Sequence, residues 1–348
     1  MTKEPKEIQP PRNMAVAWAK RIVPVIVSAA ILYYYFHDKD WQVLWEATAR
    51  ATLWLAILAI VIPQLVHWYI HTLLVQRHFE WFHGPFPLWD YFWVRGAMYI
   101  LMFVNPVLGG GGILLYTQRK ARITWTKLWG IILFRLGLML WGFSVFMIPI
   151  TLAMHYYGYA EQAGINMYVW WGFLIFGVVY LINGWMTWHH GTHFGISKFV
   201  VRDRESEFWT AFRTASKKQW YITWALGIPP AIFSLVALYF LNLAFDINVP
   251  FVQFIVVAPL AMAIMDMPFA FAGFGTATVA WQFFFKDYGT PDDIMALTLF
   301  LPFARGICRA IIGAVSMRPA IRDITSLFQE SEAETSEDEA AISDERDS

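Results

Sequence analysis

Several charged residues lie inside long apolar runs of this 348-residue chain, where an isolated charge is costly and usually faces a cavity or a partner. Arg135 lies in LWGIILFRLGLMLWG, and Arg95 lies in the first part of the apolar segment 88–116. Arg305 and Arg309 lie one helical turn apart in LFLPFARGICRAIIG, so they share a helix face. The guanidinium group is a planar fork of donors that matches phosphate. These arginines are therefore predicted to contact a phosphate-bearing group.

Asp266, in LAMAIMDMPFAFAGFG, is the acidic counterpart of these arginines. A structural ion pair such as Arg135 with Asp266 is an alternative to phosphate binding, and the two interpretations are compatible. Asp266 is also a candidate proton carrier during transport, although the sequence shows no relay of acids around it.

Two glycine clusters interrupt the apolar runs: NPVLGGGG at 105–112 and AGFG at 272–275. Glycine lets backbone approach backbone or ligand closely, and irregular backbone at membrane depth survives only where protein or water satisfies it. NPVLGGGG is therefore predicted to be a hairpin tip that lines a polar cavity. Tight helix packing through small residues is the alternative.

Two histidine groups have spacings that would suit a metal, but both lack the usual companions. His67 and His71 lie one helical turn apart, and His189, His190 and His193 form HHGTH. Neither group has nearby acidic or cysteine ligands, and HHGTH lacks the glutamate of H-E-x-x-H. No metal and no other cofactor is predicted. The sequence also has no Walker loop and no G-x-S-x-G elbow, so an ATPase or hydrolase is not supported.

The composition is that of a polytopic membrane protein, with 58% hydrophobic, 18% aromatic and 15% charged residues. The formal net charge is zero, but nine acidic residues and one arginine follow Phe328, which leaves 17 acids against 25 bases elsewhere. That basic body suits anionic lipid head groups. Cys308 is the single cysteine, which excludes an intrachain disulfide. The first apolar run has no A-x-A-like cleavage site and is predicted to be a retained helix.

Long apolar runs predict the helices that must position these residues, since about 20 helical residues span about 30 Å of hydrocarbon. The clear candidates are 21–36, 51–74, 128–154, 167–188 and 220–245. The less regular candidates are 88–116, 249–285 and 291–317, and the first two of these contain the glycine clusters.

Basic residues predict the orientation of these helices, because lysine and arginine concentrate in short cytoplasmic loops. The basic clusters lie at 3–21, 119–127, 198–218 and 318–322. All four fall on one side only if each glycine-centred segment enters and leaves the membrane by the same face. The predicted fold is an all-α polytopic membrane protein with about six full crossings and two re-entrant hairpins in an inverted repeat. A plain bundle of eight crossings is the alternative.

The predicted organisation has four parts. They are a cytoplasmic N-terminal segment at 1–20, a first membrane repeat at 21–155 with hairpin 88–116, a second, inverted repeat at 156–317 with hairpin 249–288, and an acidic, disordered tail at 318–348. The polar connection 189–219 mixes bases with aromatic residues at helical spacing and is predicted to be a cytoplasmic amphipathic helix at the lipid surface. Both termini are expected in the cytoplasm.

Two stretches resemble the signatures of the lysylphosphatidylglycerol synthase transmembrane (flippase-like) family. NPVLGGGGILLYTQRKARITWTKLWGIILFRLGL resembles the first, with matches at Asn105, Pro106, Gly109, Arg119 and Arg135. MPFAFAGFGTATVAWQFFFKDYGTPDDIMALTLFLPFARGI resembles the second, with matches at Pro268, Gly273, Gly275, Gly289, Pro291 and Arg305. Thr276, Ala277 and Thr278 stand where the second signature usually has a glutamate. The family's soluble aminoacyl-transfer domain is not expected, because only about 30 polar residues follow the last predicted crossing.

The resemblance implies that the chain handles a lipid between leaflets, so an inner-membrane lipid translocase for an anionic or phosphate-bearing lipid is predicted. A transporter is preferred to an enzyme, a homo-oligomer is allowed, and no nucleic acid is expected. The predicted head-group contacts are Asn105, Gly109, Gly110, Gly111, Gly112, Arg119, Arg135, Asp266, Gly273, Gly275, Arg305 and Arg309. Two alternatives stay open: a membrane-embedded transferase with HHGTH or Asp266 near the chemistry, and a non-catalytic membrane subunit whose acidic tail docks a basic partner.

Overall fold

The computed structural model describes residues 41–104, 106–158, 205–265 and 276–347, together with a few isolated positions between 175 and 186. Within these residues the secondary structure is helical, and no strand is present. The α-helices are α1 (Trp41–Arg50), α2 (Leu53–Phe82), α3 (Leu88–Val104), α4 (Pro106–Ala121), α5 (Trp125–Tyr156), α6 (Thr210–Thr214), α7 (Lys217–Ala244), α8 (Phe251–Met265), α9 (Thr276–Phe285) and α10 (Pro291–Asp347). A 3₁₀ turn at Glu207–Trp209 precedes α6.

Three segments of the described chain are long and apolar enough to cross a membrane. They are Leu53–Phe82, Lys217–Ala244 and Pro291–Leu327. The all-α fold class is confirmed for the described residues, while the six crossings, the re-entrance of the hairpins and the domain boundaries stay predictions. The predicted spans 21–36 and 167–188 lie outside the described residues, except for the isolated helical positions.

The helices extend beyond the apolar runs that predict them. The run at 51–74 predicts the first part of α2, but the helix continues to Phe82. Its last two turns mix four polar residues with three aromatic ones, and Arg77 Nη1 lies 3.1 Å from Glu80 Oε2, a spacing that supports a helix. Hydropathy therefore detects the continuous apolar part of the helix and misses its mixed end.

The last helix begins at a complete amino-terminal cap. The Asp293 N–H donates to the Thr290 hydroxyl oxygen at 3.2 Å, and Pro291 occupies the first helical position, where its missing N–H costs nothing. The backbone then stays helical to Asp347, into the acidic tail whose predicted disorder stays a prediction.

α3 and α4 pack against each other as a helical hairpin. A Cβ atom added at Gly109 would lie 2.6 Å from the Met102 backbone nitrogen, so glycine is what allows α4 to approach α3 so closely. The four glycines lie in the first turns of α4 and are helical. Close helix packing, the alternative interpretation, therefore explains Gly109, while a hairpin tip at the membrane interior stays a prediction.

A second pair of helices, α8 and α9, also packs together. The rings of Phe254 and Phe285 stack with centroids 5.6 Å apart. The indole N–H of Trp281 in α9 donates to Asn242 Oδ1 at 3.0 Å, and this contact fixes α9 against the end of α7. The AGFG cluster lies outside the described residues, in the segment between α8 and α9.

The chain divides into two compact units. One comprises Tyr239–Phe303 and the described part of residues 1–56, and the other comprises the described parts of 57–238 and 304–348. The core of the second unit is aromatic. The Phe134 ring has the rings of Phe82, Phe212 and Trp220 edge-on, with centroids 5.2–5.4 Å away.

The described part of the connection 189–219 packs against the protein. Trp209 and Phe212 are buried in the aromatic core, and a Cβ atom at Gly130 would lie 1.9 Å from the Phe208 carbonyl oxygen. Gly130 therefore lets the 3₁₀ turn lie directly on α5. Residues 189–204 lie outside the described residues, and the interfacial position of this connection stays a prediction.

Candidate functional site

A cavity of about 290 Å³ lies in the second unit, among helices α2 to α5. α3 contributes Tyr91, Arg95 and Met102 to its wall, α4 contributes Gly110, and α5 contributes Arg135. The residues from α3 are four and seven positions apart, so they form one helix face. The predicted Gly110 and Arg135 are thus brought to one cavity, together with Arg95.

The two arginines of the cavity carry donors without acceptors. Arg95 Nε and Arg135 Nη1 are buried and have no hydrogen-bond partner within the part of the chain that the structure describes. Neither guanidinium forms a salt bridge with a described acidic residue. Arg135 interacts electrostatically with Arg95, a like charge, and with Tyr91. Two buried like charges repel each other, and an anion between them would relieve that repulsion.

Other polar groups of the wall are already satisfied. The two ring nitrogens of His78 are hydrogen-bonded to the Leu74 carbonyl oxygen and, at 3.0 Å, to the Thr223 hydroxyl. The Thr117 hydroxyl donates to the Ile113 carbonyl oxygen at 2.7 Å. A ligand in the cavity would therefore find its free donors on the arginines.

A cluster of charged residues lies just beyond the cavity, where α3 begins and α4 ends. Lys120 Nζ lies 2.5 Å from Asp323 Oδ1 and 3.1 Å from Asp90 Oδ2. The Tyr116 hydroxyl donates to Asp323 Oδ2 at 2.6 Å. Burial alone would lower the pKa of Lys120, but its hydrogen bonds to Asp323 and Asp90 raise that pKa above its ordinary value. Lys120 is therefore charged at neutral pH.

Gly111 and Gly112, which are also predicted head-group contacts, have different neighbours. A Cβ atom at Gly112 would lie 2.9 Å from the Met98 sulfur, so Gly112, like Gly109, faces α3. Gly111 has open space around it. Arg119 is exposed at the end of α4, away from the cavity wall.

The predicted arginines of α10 lie in the same unit as the cavity but outside its wall. Arg309 Cζ lies 6.0 Å from the centroid of the Tyr99 ring. Arg305 and Arg309 both interact electrostatically with His67. Asn105, Asp266, Gly273 and Gly275 lie outside the described residues, and their part in head-group binding stays a prediction, as does that of Arg305 and Arg309.

Arg95 is among the arginines predicted to contact phosphate, but most other residues of the cavity wall, including His78 and Tyr91, are not among the predicted contacts. A signal for Tyr91 exists in the sequence, because it lies one turn before Arg95 in the arm that precedes the glycines. The position of His78 gave no such signal, since it lies beyond the apolar run that predicts α2.

The histidine pair of α2 is stacked rather than arranged around a metal. The rings of His67 and His71 are 3.9 Å apart and almost parallel. Among the described residues, no group of three or more histidine, cysteine or acidic residues could hold a metal ion. HHGTH lies outside the described residues.

Comparison with known families finds one match that covers most of the chain. Residues 21–313 match the family described as Lysylphosphatidylglycerol synthase TM region. The match includes every residue of the cavity wall. No curated protein and no solved structure matches the chain.

Proposed function

Because the chain belongs to the Lysylphosphatidylglycerol synthase TM region family, a membrane family with a lipid-related function, we propose that it is a lipid translocase. It moves an anionic, phosphate-bearing lipid between the leaflets of the cytoplasmic membrane and has both termini in the cytoplasm. The two helical hairpins enter the membrane from opposite faces, as in an inverted repeat.

The observation that carries this proposal is the pair of buried arginines, Arg95 and Arg135, at one cavity. Each has a buried guanidinium nitrogen without a hydrogen-bond partner among the described residues. A phosphate group offers several acceptor oxygens and a negative charge, so one phosphate would satisfy both donors and reduce their mutual repulsion.

The size of the cavity supports a head group as the occupant. Pockets for whole small ligands measure roughly 300–1,000 Å³, and the cavity, at about 290 Å³, is at the lower end. A head group fits that volume, whereas two acyl chains do not. The chains would therefore remain in the bilayer while the phosphate is bound.

Exposed apolar side chains beside the cavity support a lateral route for the chains. Trp129 lines the cavity and is also 48% exposed on the outer face of α5. Leu115 of α4 and Leu133 of α5 are exposed as well, which gives this surface the apolar character of a lipid contact. A lipid can thus place its head group inside and keep its chains outside.

Reconstitution in liposomes tests the function. The purified chain is inserted into vesicles that contain fluorescent phosphatidic acid or phosphatidylglycerol, and the exchange of label between leaflets is followed with and without an ion gradient. The wild type should accelerate exchange of at least one of these lipids. Unchanged leaflet distributions for both lipids under both conditions would contradict the proposal.

The substitution Arg135→Lys tests whether lipid exchange depends on the cavity. Lysine keeps the charge but loses the planar fork, so exchange should fall about tenfold or more if the phosphate is held by two donors of one guanidinium. Arg77→Lys is the matched control, because Arg77 is exposed on α2 and its contact with Glu80 is at the surface. Equal exchange by Arg135→Lys and the wild type would favour a structural role for Arg135.

A further inference from the structure

The cavity holds two positive charges, on Arg95 and Arg135, and its neutral neighbours do not balance them. Tyr91 and Tyr99 lie one turn before and one turn after Arg95 on α3, and their hydroxyl oxygens accept hydrogen bonds from its guanidinium. Arg135 interacts electrostatically with Tyr91 and with Arg95. A phenol is neutral at physiological pH, so it can satisfy a donor but cannot neutralise a charge.

The carboxylates nearest to this region are bound elsewhere. Asp90, five residues before Arg95 on α3, and Asp323 on α10 both form salt bridges with Lys120. Neither of them lines the cavity, and no acidic residue is found in its wall within the described chain. The two guanidiniums therefore keep their full positive charge for whatever occupies the cavity.

The rest of the cavity wall offers few partners to a hydroxyl or an amine. His78 and Thr117 are already hydrogen-bonded to other groups of the protein. The remaining lining residues outside α3, apart from Gly110 and Arg135, are aliphatic or aromatic. A sugar hydroxyl or an ammonium group buried against them would lose its hydrogen bonds to water without replacement. The wall thus favours a head group that consists of little more than phosphate.

The number of ester bonds decides how well a phosphate matches these two charges. A phosphomonoester has a second pKa of about 6 and carries between −1.5 and −2 at about pH 7, and two nearby guanidiniums favour its fully ionised form. A phosphodiester carries a single negative charge and would leave one buried arginine uncompensated, which is unfavourable. A zwitterionic head group would also bring a cation next to Arg95 and Arg135.

We propose that the cavity selects a phosphomonoester lipid, of which phosphatidic acid is the simplest, over phosphodiester lipids and zwitterionic lipids. This inference rests on the proposed function, because it names the substrate class of the same site. Tyr91 contributes to the selection: its hydroxyl oxygen accepts from Arg95, and its own proton is donated to an oxygen of the phosphate.

Two lipids that differ by one methyl ester isolate the effect of charge. Isothermal titration of the full-length wild type in a non-ionic detergent compares dihexanoyl phosphatidic acid with dihexanoyl phosphatidylmethanol, at a pH two units above the second pKa of about 6. Phosphatidic acid should bind about tenfold more tightly or better, and dihexanoyl phosphatidylethanolamine should bind most weakly. Equal affinity for phosphatidic acid and phosphatidylmethanol overturns the inference.

Arg95→Gln and Arg135→Gln show whether the selection comes from the arginines. Each substitution removes one charge, so each should weaken binding of phosphatidic acid about tenfold and bring its affinity close to that for phosphatidylmethanol. A structural role would instead weaken both lipids equally, and that result overturns the inference. Arg77→Gln is the matched control, because Arg77 is exposed on α2 and its removal should leave the ratio of the two affinities unchanged.

Two further measurements separate the sources and the proposals. Inorganic phosphate is also a dianion: weaker binding than that of phosphatidic acid supports a lipid, and equal or tighter binding overturns it. If the wild type prefers phosphatidic acid tenfold but exchanges no lipid between leaflets, the translocase proposal fails and the selectivity stands. If it exchanges lipid but binds phosphatidic acid and phosphatidylmethanol equally, the selectivity fails and the translocase stands.

Discussion

Lys120 Nζ lies 2.5 Å from Asp323 Oδ1, and this contact fastens the end of α4 to α10. The same ammonium group lies 3.1 Å from Asp90 at the start of α3, and the Tyr116 hydroxyl donates to the second oxygen of Asp323. Both arms of the α3–α4 hairpin are therefore held at their open end. Arg95 and Gly110, which line the cavity, are on these same arms.

Lys120→Met is expected to lower the free energy of unfolding by about 1–3 kcal/mol, because it leaves the partly buried carboxylate of Asp323 without its cation. Arg119→Met is the control, since Arg119 is the preceding residue and is exposed. Thermal unfolding of both variants in detergent is the measurement. Equal melting temperatures for the two variants would show that the cluster contributes nothing to the hairpin.

Gly109→Ala is expected to destabilise the chain by about 1–3 kcal/mol, because the new methyl group would overlap the Met102 backbone. Backbone atoms cannot move aside as a flexible side chain can. Gly111→Ala is the matched control: it has open space around it, and alanine is the better helix former, so a gain of up to about 1 kcal/mol is expected. The melting temperatures of both variants are the measurement. A decrease for Gly109→Ala with an increase for Gly111→Ala would support the observed packing, and equal changes would contradict it.

The glycine cluster shows what the sequence could and could not predict. Charge placement predicted a hairpin at 88–116, and α3 and α4 do pack against each other there, while re-entrance into the membrane stays a prediction. The sequence did not predict that Gly109 to Gly112 would be helical, because a run of glycines has low helix propensity. Packing of α4 against α3 therefore outweighed the low helix propensity of the glycines.

Arg95 and Arg135 also show what the sequence could and could not predict. Their placement in apolar runs was enough to select Arg135 as a candidate, and Arg95 could be recognised as a buried charge. The sequence could not predict that these two, which are far apart in the chain, would share one cavity. That depends on the close approach of α4 to α3 at Gly109 and on Phe134, which places α5 in the aromatic core.

Gly110→Leu is expected to lower lipid exchange about tenfold or more, the equivalent of about 1.4 kcal/mol in the barrier. Gly110 is part of the cavity wall and has no atom within 4 Å of an added Cβ, so an isobutyl group would occupy the space assigned to the head group. Gly111→Leu places the same group on the exposed face of α4 and serves as the control. The readout is leaflet exchange in liposomes with equal amounts of folded protein; equal rates for the two variants would contradict a head group at this position.

Single cysteines at Arg122 and Lys286 test the inverted repeat. Both side chains are exposed, so a cysteine at either position is accessible to a label. With Cys308→Ala as the background, a membrane-impermeant maleimide should label Arg122→Cys from the cytoplasmic face and Lys286→Cys from the opposite face. The physical reason is the predicted cytoplasmic position of the basic cluster at 119–127 together with the same-side entry and exit of each hairpin. Labelling of both cysteines from the same face would contradict the inverted repeat and would favour the bundle of plain crossings.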